Sequence, residues 1–324
     1  MIYLQIVGGF VLLVGGAEIM VRGAVGMAQR LGVSTMVIGM TVVAFGTSAP
    51  ELVVSLNAAF SGAPGLSIGN LVGSNIANIL LILGISGMIT PIACATKGLI
   101  RDALVLLGGT LVFSVLTFRG VIDLWAGIAL LAAFGLFLWH SFRRELSGKD
   151  DIGELHVEEV EELGGLPQSM VLAMVMFAGG LGGLLFGSEL LVRGAVATAQ
   201  AFGVSDAVIG LSIIAIGTSL PELAASAVAA YRGHSDVALG NVVGSNLFNV
   251  LGVVGVVSVL TPLEVPERVI SFDVWMMVIA TLILMPFMVT SKQAIGRIAA
   301  SAMVALYVVY MVALGLGIDR ILPA

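Results

Sequence analysis

The chain has 324 residues, 59% of them hydrophobic and only 10% charged, with a mean hydropathy of +1.12. Soluble globular chains carry about 25% charged residues, so this composition excludes a soluble domain and reads as a polytopic membrane protein. The net charge of −6 is local. Residues 143–167 hold eight of the 20 acids against three of the 14 bases, and the remaining 12 acids and 11 bases nearly balance. Cys94 is alone and cannot close an internal disulfide, and three histidines are too few for a metal cluster. No cofactor and no nucleic-acid partner are expected.

In chain order, apolar windows of about 20 residues fall near 2–20, 34–60, 67–90, 102–118, 122–140, 168–190, 205–230, 237–260, 272–290 and 298–316. The fold class predicted is an all-α polytopic membrane protein of ten transmembrane helices. No convincing small-residue cleavage site follows the first window, which is read as a retained span. If that span runs from outside to inside, ten basic residues (Arg22, Arg30, Lys97, Arg101, Arg143, Arg144, Lys149, Arg232, Lys292, Arg297) fall inside and four (Arg119, Arg193, Arg268, Arg320) outside. That is the bias of cytoplasmic loops. Both termini then point outward and the acidic segment is a solvated cytoplasmic linker. Short loops and the lack of a regulatory domain suggest a prokaryotic cytoplasmic membrane. The 42 glycines suit close helix packing in lipid.

A shift of 171 residues superimposes the halves. Glu18-Ile19-Met20-Val21-Arg22-Gly23 falls on Glu189-Leu190-Leu191-Val192-Arg193-Gly194, and Gly46-Thr47-Ser48-Ala49-Pro50-Glu51-Leu52 on Gly217-Thr218-Ser219-Leu220-Pro221-Glu222-Leu223. Gly69-Asn70-Leu71-Val72-Gly73-Ser74-Asn75-Ile76-Ala77-Asn78 falls on Gly240-Asn241-Val242-Val243-Gly244-Ser245-Asn246-Leu247-Phe248-Asn249. Residues 1–142 and 168–324 thus form two five-helix repeats around the 143–167 linker. An odd number of spans per copy gives an inverted topology, the arrangement in which substrates bind near the bilayer midplane on interrupted helices.

The motifs put polar chemistry at membrane depth, where an acid is a functional candidate. Pro50 and Pro221 each remove a donor and clash with the carbonyl four residues back, which predicts freed carbonyls around Gly46 and Gly217. Such carbonyls are tolerated in a membrane only where they line a cavity or gain a partner. Thr47 and Ser48 precede Glu51 by four and three residues and share its helix face, as do Thr218 and Ser219 with Glu222. Ser74 with Asn78, and Ser245 with Asn249, present oxygens on one stripe. Asn75 and Asn246 lie about 100° round and serve packing, a neighbouring helix or the site. The glycine pairs Gly69/Gly73 and Gly240/Gly244 have the spacing of close helix contact. Together these segments supply hard oxygen ligands, with neither thiolate nor imidazole. That set suits Ca²⁺, which takes six to eight oxygens, over zinc or copper. Two empty carboxylates would repel strongly, so Na⁺ or H⁺ should replace a departing Ca²⁺.

These paired motifs resemble the α-repeats of the Ca²⁺/cation antiporter superfamily, in its Na⁺/Ca²⁺ exchanger branch, over nearly the whole chain. The resemblance implies two inverted five-helix halves with ions held among the second, third, seventh and eighth helices. It makes Glu51 and Glu222 the central ligands. Thr47, Ser48, Thr218 and Ser219 with the carbonyls of Ala44 and Ala215 would complete Na⁺ sites, and Ser74, Ser245, Asn78 and Asn249 would line the middle site. The first and sixth helices would slide across the rest. Potassium-dependent relatives carry Asp where this chain has Asn249, which argues against K⁺ co-transport. The resemblance also implies electrogenic exchange of three Na⁺ for one Ca²⁺.

Other charges are read as structural. Glu18 with Arg22 and Glu189 with Arg193 are interfacial ion pairs, Asp206 is an N-cap opposite Thr35, Asp236 precedes the eighth span, and Asp273 opens the ninth without a repeat counterpart. The function expected is Na⁺/Ca²⁺ antiport by a monomer, with Ca²⁺ and Na⁺ as substrates and the bilayer as surroundings. Its nearest rival is H⁺-coupled antiport of Ca²⁺ or another divalent ion. An intramembrane hydrolase using Glu51 and Glu222 is disfavoured, because a symmetric duplication gives both acids one environment whereas acid–base pairs need two. A pore would more naturally use rings of groups from several subunits.

Overall fold

A computed structural model describes residues 2–94, 99–146, 167–202, 215–289 and 294–316. Most of the acidic linker, and Asp206, lie outside the described residues. The helices are α1 (Ile2–Leu31), α2 (Thr35–Thr47), α3 (Ala49–Phe60), α4 (Pro64–Ile89), α5 (Leu99–Thr117) and α6 (Leu124–Leu146), then α7 (Met170–Ala201), α8 (Ala215–Gly217), α9 (Leu220–Tyr231), α10 (Ser235–Leu260), α11 (Val269–Val289) and α12 (Arg297–Gly315). Among the described residues, eight helices are long and apolar enough to cross a membrane, and the bent pair α2–α3 makes a ninth. Helices α8 and α9 occupy the described part of the seventh window.

Helices α1 and α7 run for 30 and 32 residues, far past the windows at 2–20 and 168–190. Hydropathy falls at Glu18 and Glu189, but the helix does not stop there. Arg22 Nε donates to Glu18 Oε1 at 2.6 Å one turn on, and Arg193 pairs with Glu189 in the same way. Opposite charges at that spacing support a helix. At 1.5 Å per residue each helix is roughly 45–48 Å long, so it must tilt to fit a hydrocarbon core of about 30 Å.

The two long helices cross antiparallel on glycine. A Cβ at Gly9 would stand 2.8 Å from the Gly187 carbonyl oxygen, and one at Gly16 would stand 2.7 Å from that of Gly180. The reciprocal distances are 2.8 and 2.7 Å. The 171-residue shift carries Gly9 onto Gly180 and Gly16 onto Gly187, so the seam obeys the two-fold relation that an inverted repeat dictates. Short antiparallel pairs tie the halves in the same reciprocal way. Strand β1 (Ile92–Ala93) pairs with β4 (Ala294–Ile295), and β2 (Val121–Ile122) with β3 (Leu263–Glu264).

The outer faces are apolar. Val7 and Val11, Val171 and Val175, and Val308 and Val312 are exposed pairs one turn apart on α1, α7 and α12. The motif helices α4 and α10 occupy the centre: 72% and 89% of their apolar stretch is buried, against 44% or less in the other long helices. Glu18 also receives Arg232 Nε at 2.8 Å, joining α1 to the end of α9. Ser61 stands where the repeat would place a second such arginine, so the bridge exists in one half alone. Both partners are partly exposed, at 21% and 38%, and such pairs contribute about 1 kcal/mol or less. Arg232→Gln is expected to destabilise by no more than that, with a coupling of that size to Glu18→Gln in a double-mutant cycle of thermal unfolding.

Candidate ion-binding site

The second span breaks inside its motif. Ser34 caps α2, accepting from the Val37 N–H at 3.3 Å, and a π-helical turn follows at Gly39–Val43. The chain leaves the helix at Ser48 (φ −86°, ψ 9°), and α3 restarts at an angle of 43°. Pro50 lies in the first turn of α3, where a missing N–H costs nothing. The break therefore falls just before the proline. Ala44 O is held within the helix by the Ser48 N–H at 3.0 Å, so it is not among freed carbonyls. Ser219 (φ −90°, ψ 5°) and Pro221 repeat this arrangement ahead of α9. Ala215 begins α8, and Thr218 is half-buried beside the second break.

This geometry puts Glu51 and Glu222 in the first turns of α3 and α9, at helix N-termini, whose dipoles favour negative charge. Each is 1% exposed, and each lies within the other's electrostatic reach. The serines cross between halves. Ser48 Oγ donates to Glu222 Oε1 at 2.8 Å, while Ser219 Oγ stands 3.4 Å from both Glu51 Oε1 and Ser74 Oγ. The spacing had suggested that each serine accompanies the glutamate of its own helix. It does not, because Ser48 and Ser219 sit at the breaks, before the helical turn that carries the carboxylate.

On the central helices, π-helical turns begin at Asn78 and Phe248, a widening typical of functional sites. Asn78 Nδ2 donates to Asn246 Oδ1 and Asn249 Nδ2 to Asn75 Oδ1, both at 3.0 Å. Eight buried side-chain oxygens have no hydrogen-bond partner among the described residues. Five of them belong to the predicted set: Glu51 Oε2, Glu222 Oε2, Asn78 Oδ1, Asn249 Oδ1 and Ser245 Oγ. Buried polar groups are almost always satisfied, so these five oxygens are candidates for holding a cation.

Polar supports join the predicted residues. Asn241 Nδ2 donates to Ser226 Oγ at 3.0 Å, and Asn241 Oδ1 lies 3.2 Å from Thr47 Oγ1. Asn70 Nδ2 donates to Ser55 Oγ at 3.2 Å in the other half. The signal was available, since both pairs are 171 residues apart and each serine follows its glutamate by four. The two sides of the site differ. Ser226 and Ser55 are equally buried, but Thr47 and Asn241 are fully buried while Thr218 and Asn70 are half-buried. Gly240 meets Met36 and Gly39 meets Val237, sealing α2 against α10. Nothing among the described residues lies within 4 Å of a Cβ at Gly69 or Gly73, and the segment that the repeat would set against them, 206–214, lies outside the described residues.

A sequence profile described as "Sodium/calcium exchanger protein" matches residues 1–143 and 172–316. The chain belongs to the sodium/calcium exchanger family. It is 42% identical over 278 residues to a putative antiporter CaxA of Alkalimonas amylolytica, covering 86% of each chain. It is 32% identical to the sodium/calcium exchanger MaX1 of Methanosarcina acetivorans, covering 96% of this chain and 98% of that one. Crystals of the sodium-calcium exchanger NCX_Mj, soaked with Na⁺ and Ca²⁺, contain a chain that superposes with a TM-score of 0.82 at 36% identity, covering 96% and 97%. As a family member, the chain is a multi-pass membrane antiporter.

One charged position in this family member departs from its sequence reading. Asp273 does have a repeat counterpart, Asp102, 171 residues earlier. Both are buried, at 5% and 2% exposure, and each pairs with an arginine: Asp102 with Arg101 at 2.6 Å and Asp273 with Arg268 at 3.4 Å. Tyr310 adds a hydrogen bond to Asp273 at 2.9 Å. Asp236 lies inside the first turn of α10, where its carboxylate accepts from Thr35.

Proposed function

We propose that this family member exchanges Na⁺ for Ca²⁺ across the cell membrane by alternating access, with its cargo held between Glu51 and Glu222. One observation carries the reading: two buried carboxylates from opposite repeats, each with an oxygen that, like those of Asn78, Asn249 and Ser245, has no partner among the described residues. Two carboxylates balance one divalent cation, and an all-oxygen donor set is what Ca²⁺ takes. Ser74, Ser245, Asn78 and Asn249 complete the middle of the site. Thr47, Ser48, Thr218 and Ser219 serve Na⁺ with the Ala44 and Ala215 carbonyls, Ala44 O through the lone pair that its bond from the Ser48 N–H leaves over. Residues 1–142 and 168–324 act as the two repeats, joined by the 143–167 linker, and one chain supplies the whole site, so a monomer suffices. The Na⁺ gradient drives transport without a cofactor or catalysed reaction.

The unequal burial of the two sides supports a state open to one face. With both termini outside, the half-buried Thr218 and Asn70 lie toward the exterior, and the sealed Thr47–Asn241 side lies toward the cytoplasm. Uptake of Ca²⁺ into proteoliposomes tests the reading, driven in turn by an outward Na⁺ gradient and an outward H⁺ gradient. Na⁺-driven uptake is expected. Uptake on H⁺ alone would transfer the site to the rival coupling ion, and uptake on neither would end the antiport proposal.

A further inference from the structure

We infer that Asn75 and Asn246 are positioning residues that decide which end of the Asn249 and Asn78 side-chain amides faces the cargo; the inference rests on the ion site proposed above. An asparagine has two chemically opposite ends, a carbonyl oxygen that coordinates a cation and an NH₂ that repels one. Rotation by half a turn about its last bond interchanges them at almost no steric cost. A site that uses asparagine oxygen therefore needs something to hold the amide the right way round.

Here that hold is a directional chain which starts on the backbone. Asn75 Nδ2 donates to the Asn246 carbonyl oxygen at 3.3 Å, and Asn246 Nδ2 donates to the Asn75 carbonyl oxygen at 3.4 Å. Backbone carbonyls only accept, so each of these amides must direct its NH₂ across the repeat interface. Its Oδ1 then points the other way, where it accepts from Asn249 Nδ2 or Asn78 Nδ2 at 3.0 Å. Those bonds occupy the NH₂ groups of Asn249 and Asn78 and leave their Oδ1 atoms, the unpartnered ones, for the ion. All four residues are at most 1% exposed, so water does not compete. Asn78 and Asn249 thus owe their orientation to the opposite repeat, and the two halves of the site are mutually dependent.

A purely structural asparagine pair would destabilise the protein when removed, without regard to the chemistry at position 249. An orienting pair makes a sharper forecast, because a carboxylate has two equivalent oxygens and no wrong way round. Ca²⁺ affinity of the purified full-length protein, measured by titration calorimetry, reads the difference. Asn75→Ala is expected to raise the dissociation constant roughly 10–100-fold, the usual effect of losing a group that orients a metal ligand. In an Asn249→Asp background the same substitution is expected to leave affinity nearly unchanged. The mirror pair, Asn246→Ala in wild type and in Asn78→Asp, should behave likewise. Equal losses in both backgrounds, or none in either, would overturn the inference. If the alanine variants fail to fold, a wild-type structure with Ca²⁺ decides, since an ion bound by Asn75 or Asn246 instead of Asn249 and Asn78 refutes it. Na⁺-driven flux of the wild type tests the transport reading separately.

Discussion

Glu222→Gln, and independently Glu51→Gln, should abolish Na⁺-driven Ca²⁺ uptake in proteoliposomes while the protein still inserts and folds. Glutamine keeps the shape and one carbonyl oxygen, so Ser48 still has an acceptor at position 222 and Ser219 one at position 51. What is lost is charge. Removing one partner from a buried charge pair typically costs 3–5 kcal/mol, which for a bound ion is roughly two to three and a half orders of magnitude in affinity. The same substitution has the opposite effect on the ion-free protein. Two desolvated carboxylates within electrostatic reach repel each other, so neutralising either removes that repulsion. The ion-free variants should therefore unfold at a higher temperature than ion-free wild type and gain little from added Ca²⁺, whereas wild type gains much by mass action. Normal flux in either variant would remove that residue from the site. A variant with lost flux and an intact Ca²⁺-induced rise in melting temperature would move the binding step elsewhere.

The parts of this molecule that follow simple periodicities were legible in the sequence. Hydropathy located the spans, and the 171-residue shift aligned Glu51 with Glu222 and Ser74 with Ser245, all four of which are buried. Helix length was less legible. Glu18–Arg22 lowers hydropathy while stabilising the helix, so α1 runs to Leu31. Partnerships across the repeat interface were illegible, because helical spacing describes contacts within one element. It assigned Ser48 to Glu51, yet Ser48 reaches Glu222 once the chain breaks. It left the role of Asn75 open, and only packing against α10 brought Asn249 to its oxygen. Asp102 escaped notice as the counterpart of Asp273 because nothing around it resembles a motif. Symmetry of position alone identifies that pair.

Gly180→Leu is expected to abolish folding or transport, while Gly179→Leu, one residue along the same helix, should leave both nearly intact. A Cβ at Gly180 would enter the backbone of α1, 2.7 Å from the Gly16 carbonyl oxygen, and a backbone cannot swing aside as a side chain can. A Cβ at Gly179 meets nothing within 4 Å among the described residues, and leucine forms helix better than glycine. The antiparallel seam repeats every seven residues at Gly9 and Gly16 and at Gly180 and Gly187. An inserted side chain at any one of them therefore separates the helices along much of their crossing. Gly180→Ala adds that same Cβ and nothing beyond it, so α1 and α7 must move slightly apart as whole helices, an overpacking that costs about 1–3 kcal/mol, offset by roughly 1 kcal/mol of helix propensity. That variant should fold, which makes it the informative one for function. If α1 and α7 move as one body during exchange, Gly180→Ala should lower the maximal flux while leaving the KM for Ca²⁺ unchanged, because the seam supplies none of the proposed ligands. A raised KM with unchanged maximal flux would instead tie the seam to ion binding, and equal damage from Gly179→Leu would remove close backbone approach as the reason for these glycines.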